Sequence, residues 1–337
     1  MNKQHIILTQ NKKEARYRII LISIFCLIAI CQSGLRDLRN LPMGNDTPVF
    51  QMKYNDLLMI PWDLVLKKFT FVSAEYSGRD SGYEVFMKLT QLFSEDFTFF
   101  MFLTATIFIV PFGMLIYRYV KSYLGIILAF LVYFSLFTNI VNSFMRQAVA
   151  LGIVLFSIRY VLNRDWKKYF LIITFVSTIH SSAIVAVPLY FLPRFCEGER
   201  WLRLAFFAVP VFLFFQQTIY FFLLAGTVYE NYVSSEMVSP VNYMMLIGSI
   251  ALLSLIYYKE VKDVKNYDIL ISGVIGSILI FPVLFMGNTM LRISYYYVVF
   301  MIPLLPVIID HLEISYKTRM IFYILAISFF SYFILRQ

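Results

Sequence analysis

Arg146, His180 and Arg292 are ionisable groups embedded in, or bordering, long apolar runs of this 337-residue chain. Facing lipid, such a group is costly, so each is expected to point into a helix bundle or a wet cavity. Arg146 opens an apolar helix in Asn142-Ser143-Phe144-Met145-Arg146-Gln147-Ala148. A guanidinium there can fork two hydrogen bonds onto a phosphate, which lysine cannot imitate. Asn142 and Gln147 add polarity to the same helix end; a snorkelling interfacial arginine would show the same local pattern. His180 stands in Thr178-Ile179-His180-Ser181-Ser182. Its imidazole titrates near neutrality and suits a general base, although a lone histidine in an apolar segment also serves as a hydrogen-bonded structural group. Arg292 is followed by Tyr295, Tyr296 and Tyr297. Those rings can stack on sugar faces or form an interfacial aromatic belt.

The carboxylates are less telling. Gly44-Asn45-Asp46-Thr47, after Arg36 and Arg39, is first of all a turn signal. Asp80 and Glu84 read as solvated loop carboxylates, either of which could hold a sugar hydroxyl, and Glu230 and Glu236 are alike. Cys26, Cys31 and Cys196 show neither pairing nor metal-ligand spacing. Gly-rich phosphate loops and the HExxH, GxSxG and CxxC patterns are absent from the sequence, so neither a metal nor a cofactor is expected.

The elements that must position these groups are transmembrane helices. Sixty per cent of residues are apolar, 15% are charged and mean hydropathy is +0.73. That is too much apolar surface for one soluble core, and it recurs in blocks of bilayer-spanning length. The expected fold is all-α, a single polytopic membrane domain over 1–337. Nine full spans are read at 17–33, 97–117, 123–138, 144–162, 201–224, 241–258, 268–286, 294–310 and 319–335. The net charge of +9 is assigned to basic cytoplasmic loops rather than to nucleic acid. The basic amino terminus is read as a retained first helix with its start in the cytoplasm.

With every basic cluster in the cytoplasm, residues 169–193 must leave and return on one side. Each arm would have about 12 residues and rise about 18 Å, short of the ~30 Å core. A broken or re-entrant hairpin with His180-Ser181-Ser182 at its tip is therefore expected; one long helix is the competing reading. Residues 34–96 form a large outward, periplasmic segment, in which Tyr83, Phe86, Leu89 and Phe93 suggest an amphipathic helix. No internal repeat is visible, which counts against an inverted-repeat transporter.

In order, these pieces resemble the EpsG family of bacterial exopolysaccharide proteins, a branch of the Wzy-type O-antigen and capsule polymerases. The resemblance covers about residues 20–300. It is carried by Arg39 with Gly44-Asn45-Asp46-Thr47, Asn142…Arg146-Gln147-Ala148…Ala150, His180-Ser181-Ser182-Ala183, and Arg292…Tyr295-Tyr296. Asn45 stands where threonine is usual, and Asp80-Ser81-Gly82-Tyr83 departs from the family's acidic-proline pair.

The resemblance implies an inner-membrane, metal-independent glycosyltransferase working at the periplasmic face. It would transfer a growing glycan from undecaprenyl pyrophosphate onto another lipid-linked repeat unit. The bilayer is a further partner and a chain-length regulator an additional one. On this reading Arg146, Arg292 and Arg39 meet the pyrophosphate, and Asn142, Gln147, Glu84, Tyr295 and Tyr296 contact substrate. His180 is the first choice of base and Asp46 the second. A flippase of lipid-linked oligosaccharide and an O-antigen ligase-like transferase are the rival functions.

Overall fold

The computed structural model describes residues 3–39, 45–69, 80–195, 198–215, 217–218, 221, 241–286 and 288–335. Gly44, Cys196, Glu230, Glu236 and most of the stretch from 216 to 240 lie outside them. All regular structure among the described residues is helical. The chain divides into two units, residues 1–184 with 327–337, and residues 185–326.

The first unit is organised around α5 (Phe97–Tyr119), between α1 (Lys3–Gly34) and α8 (Met145–Leu162). Helix α5 starts at Asp96, whose carboxylate caps the Thr98 N–H at 2.8 Å. Pro111 within it lacks the N–H that would bond the Ile107 carbonyl. Gly152 of α8 lies against that bared carbonyl, and a Cβ there would sit 2.2 Å from the Ile107 oxygen. The two helices thus cross at backbone contact. At the other end of α5, Arg18 donates to the carbonyls of Tyr117 and Val120 at 2.6 and 2.9 Å. This ties α1 to the helix terminus, where a cation is favoured.

The segment between α1 and α5 carries α2 (Thr47–Met59), α3 (Trp62–Phe69) and α4 (Ser81–Gln91). Its apolar side chains, Phe50, Tyr54, Leu57, Val65, Tyr83 and Met87, share one cluster with the starts of α5 and α8 and with Ile179. Each such side chain, fully buried, stabilises by roughly 1.5–3 kcal/mol, so the segment is held as a cap on the helix ends. Tyr83 is buried and Phe86 partly so, whereas Leu89 and Phe93 are exposed, at 46% and 81%. Burial here follows Tyr83, Met87 and Thr90, set by the helices on which α4 rests.

Helices α6 (Tyr123–Leu136) and α7 (Thr138–Asn142) lead into α8, and α9 (Trp166–Ile179) packs back along it. Helix α9 ends at His180, which adopts extended backbone at φ −150° and ψ 110°, and a 3₁₀ segment (Ser181–Tyr190) follows. The break expected near His180 is present; the long unbroken helix is not.

In the second unit α10 (Leu192–Phe195) and α11 (Glu199–Phe214) precede α12 (Val241–Ile256), α13 (Tyr258–Val261) and α14 (Tyr267–Ile280). A 3₁₀ stretch (Phe281–Met286), α15 (Asn288–Val298), α16 (Met301–His311) and α17 (Tyr316–Leu335) complete the chain, α17 running past residue 326 into the first unit. Helix α14 is buried on nearly every face, with α10, α11, α12 and α15 around it.

Nine full spans were expected; among the described residues, three helices have the length and apolarity to cross a bilayer. They are Lys12–Gly34, Phe97–Tyr119 and Met145–Leu162, joined by a fourth if Leu291–Val298 and Met301–His311, bent by 43°, count as one. The expected spans 123–138, 241–258 and 268–286 coincide with the shorter apolar helices Tyr123–Leu136, Tyr243–Ile256 and Tyr267–Ile280; 319–335 falls in α17 and 201–224 overlaps α11. The differences arise at breaks: the helix after Leu136 restarts at Thr138, α14 passes into 3₁₀ geometry at Phe281, and 294–310 bends after Val298.

Candidate functional site

Asp80 is the centre of the site. It precedes α4 in left-handed backbone, φ 59° and ψ 44°, which aspartate tolerates better than most residues. Gly82, two residues on, lets the start of α4 close on the end of α9: a Cβ there would lie 2.2 Å from Thr178 Oγ1 and 2.7 Å from the Thr178 carbonyl carbon. This approach carries the Asp80 carboxylate to His180, and its side chain is only 1% exposed.

Three groups converge on that carboxylate. Arg146 Nη1 donates to Oδ2 at 2.8 Å, His180 Nδ1 faces the same oxygen at 3.4 Å, and the Ser181 N–H donates to Oδ1 at 3.0 Å. Burial pushes the Asp80 carboxyl up, but the His180 hydrogen bond and charge, the Arg146 charge and the Ser181 N–H outweigh it. Its pKa lies below the ordinary carboxylate value, so it is an anion at neutral pH. The ring's other nitrogen, Nε2, is not the one that faces Asp80. This is the arrangement of an oriented base: a carboxylate on one ring nitrogen fixes tautomer and ring plane and steadies an imidazolium.

A second layer lies around Arg146. Its guanidinium stands over the Phe50 ring at 5.6 Å, and Phe50 meets Tyr83 edge-on at 5.5 Å. Beside it, Arg36 Nη2 donates to Thr47 Oγ1 at 3.0 Å and lies 3.7 Å from Met145 Sδ, while Nη1 donates to the Ser33 carbonyl. Thr47 Oγ1 donates to the Asn142 carbonyl at 2.5 Å, and the Asp46 N–H donates to Ser143 Oγ at 3.3 Å. The starts of α2 and α8 therefore adjoin, and neither Asp46 nor Phe144 makes a side-chain cap bond. Two helix N-termini and the Arg36 guanidinium add positive potential here, beside Arg146, whose charge is balanced by Asp80.

Arg36 differs from Arg146 in one respect. Its hydrogen-bond partners among the described residues are neutral, and its Nε is buried without a partner. Burial pulls its pKa down to about 10, against the Tyr83 hydroxyl, so it remains a cation at neutral pH. The Tyr83 hydroxyl is likewise buried with no hydrogen-bond partner among the described residues, and burial pushes its pKa up.

The structure thus brings Arg146 and His180 together, through a carboxylate read from sequence as solvated. Asp80 was mistaken because it lies in a polar stretch; its αL turn and the Gly82 contact are the signals that could have found it. Arg36, three residues before Arg39, is the one that reaches Thr47, while the Arg39 side chain is 90% exposed and pairs with Asp37 at 3.1 Å. Asp46 is half-buried at the start of α2, Asn142 ends α7 with its Oδ1 buried, and Gln147 is 1% exposed on α8. Glu84 pairs with Lys68 at 3.3 Å rather than standing free in solvent.

Arg292, Tyr295 and Tyr296 belong to the second unit. Arg292 is half-buried; Tyr295 and Tyr296 are 4% and 0% exposed, and Tyr295 packs edge-on against Tyr243 at 5.8 Å. Rings packed in this way offer no open face to a sugar. Helix α15 turns these rings toward protein.

The EpsG family model matches residues 17–336. The chain belongs to the EpsG family. This EpsG-family protein is accordingly a multi-pass membrane protein of polysaccharide biosynthesis, whose substrates are lipid-linked sugars. No curated protein and no solved structure matches it. Family membership accounts for the apolar helices and gives the Asp80 cluster a chemistry to be tested against: glycosyl transfer in a polysaccharide polymerase.

Proposed function

We propose that this protein joins undecaprenyl-pyrophosphate-linked oligosaccharide repeat units by direct glycosyl transfer at the periplasmic face of the bacterial inner membrane. The observation that supports it best is the buried Asp80 carboxylate, which holds His180 and Arg146 at the meeting of two helix N-termini. In this reading His180 Nε2 takes the proton of an acceptor sugar hydroxyl as its oxygen attacks the donor's anomeric carbon. The bond from that carbon to the pyrophosphate oxygen breaks, and undecaprenyl pyrophosphate leaves. The configuration at the anomeric carbon inverts.

The leaving group gathers negative charge, and the site offers guanidiniums to meet it. Arg146 is already paired with Asp80, so its charge is largely compensated. Arg36 has only neutral partners among the described residues, and it carries most of the attraction for the diphosphate. Positioned donors of this kind are worth about 3–4 kcal/mol each in a transition state. His180 is preferred over Asp46, the second choice of base, because the carboxylate that orients its ring is Asp80.

The test is genetic and biochemical together. Deleting the gene should leave surface glycan as single capped repeat units. His180→Gln or Arg36→Gln should reproduce that pattern with the protein still in the membrane. Loss of all surface glycan, with the lipid-linked precursor trapped inside, would instead indicate translocation of the lipid, and long unattached chains would indicate ligation.

A further inference from the structure

Helices α1 and α8 both pack on α5, and between them an apolar groove of about 730 Å³ runs along the first unit. Ile22 and Leu27 line one wall, Val110 and Met114 the floor, and Leu155 and Phe156 the other wall. Arg118 and Arg159 line one end. On α8 that end is 13 residues from Arg146, about 20 Å along the axis, so the groove belongs to the half of the helices remote from the Asp80 cluster.

We propose that this groove is a binding site for an anionic phospholipid of the leaflet opposite the Asp80 site, its acyl chain between α1 and α8 and its phosphate on Arg118 and Arg159. The length fits. From Val110 to Arg118 the floor rises about 12 Å, and from Ile19 to Ile30 the wall rises about 16 Å, beside ~15 Å for half a hydrocarbon core.

The charge fits as well. Neither arginine has a carboxylate partner among the described residues: Arg159 stacks on Phe156 at 3.9 Å and donates to the Tyr160 hydroxyl. Arg18, at the same end, is already committed to the carbonyls of Tyr117 and Val120. Apolar walls closed by two uncompensated guanidiniums select a molecule with a hydrocarbon tail and an anionic head. A zwitterionic lipid would fill the walls and also bring a phosphate, but its own ammonium would offset part of the attraction to the two guanidiniums.

The experiment is native mass spectrometry of the intact protein released from nanodiscs of equimolar phosphatidylglycerol and phosphatidylcholine. The wild type should retain phosphatidylglycerol over phosphatidylcholine by about thirtyfold, the preference expected of two arginines near the surface. Arg118→Gln/Arg159→Gln should bring that ratio near parity, and Arg118→Lys should keep it. Met114→Trp, which fills the floor with the arginines intact, should lower retention of either lipid at unchanged helix content by circular dichroism. Equal retention of the two lipids by the wild type, an undiminished ratio in the double variant, or full retention by a folded Met114→Trp would each overturn the proposal. None of these readouts depends on chain growth, so the result is independent of the glycosyl-transfer reading.

Discussion

Asp80→Asn keeps the shape of the central side chain and removes its charge. In the wild type one buried oxygen serves both Arg146 at 2.8 Å and His180 at 3.4 Å. Breaking a buried ion pair from one side costs about 3–5 kcal/mol because the surviving charge is stranded. The Arg146 side chain is 26% exposed, so water recovers part of that, and a loss of about 1–3 kcal/mol is expected. Arg146→Gln strands the Asp80 anion in its place. Removing both charges strands neither, so the double variant should be less destabilised than the sum of the singles by about 1–3 kcal/mol. The assay is equilibrium unfolding of the four proteins in mixed micelles. In reconstituted membranes Asp80→Asn should also slow chain growth by about 10²–10⁴-fold, the usual worth of an oriented base. Additive destabilisation within about 0.5 kcal/mol would refute the coupling and the positioning role built on it.

Other expectations follow from the same geometry. Because the folded carboxyl of Asp80 titrates below its ordinary value, its contribution is complete above about pH 4 and is lost as pH falls through the lower folded value; the stability gap between wild type and Asp80→Asn, measured from pH 7 to pH 3, should be constant and then close. Arg36→Gln should cut polymerisation by about 10²–10³-fold and Arg36→Lys by less, whereas Arg39→Gln, at a solvated ion pair, should stay near wild type in the same gel assay. Gly82→Ala should cost about 1–3 kcal/mol and chain growth with it, and Thr178→Ala should not rescue it, because backbone atoms of Thr178 lie at 2.7 and 2.8 Å from the added carbon. A rescued double variant would show that the close approach there is only side-chain crowding.

Arg146 and His180 were visible in the sequence because charge within an apolar run stands out against its surroundings. Asp80 was not, for the opposite reason: among Arg79, Ser81 and Gly82 it looks like any exposed loop carboxylate. Its burial is made by contacts 66 to 101 positions away in the chain, which no local pattern encodes. Arg36 and Arg39 are three residues apart beyond the end of α1, and only the fold decides which one turns toward Thr47 and which pairs with Asp37. The helical fold class was legible from composition alone. Span lengths were not, since a hydropathy window reads across the breaks at Phe137, Phe281 and Val299 as though the helix continued. The tyrosines after Arg292 likewise carried no sign of which face of α15 would be buried.

The most direct measurement is single-turnover glycosyl transfer by purified protein in proteoliposomes, with one defined lipid-linked repeat unit, comparing wild type with His180→Gln. Transfer should fall by about 10²–10⁴-fold while affinity for the lipid diphosphate donor stays within about threefold. Wild-type turnover without the imidazole would contradict a base held on Asp80.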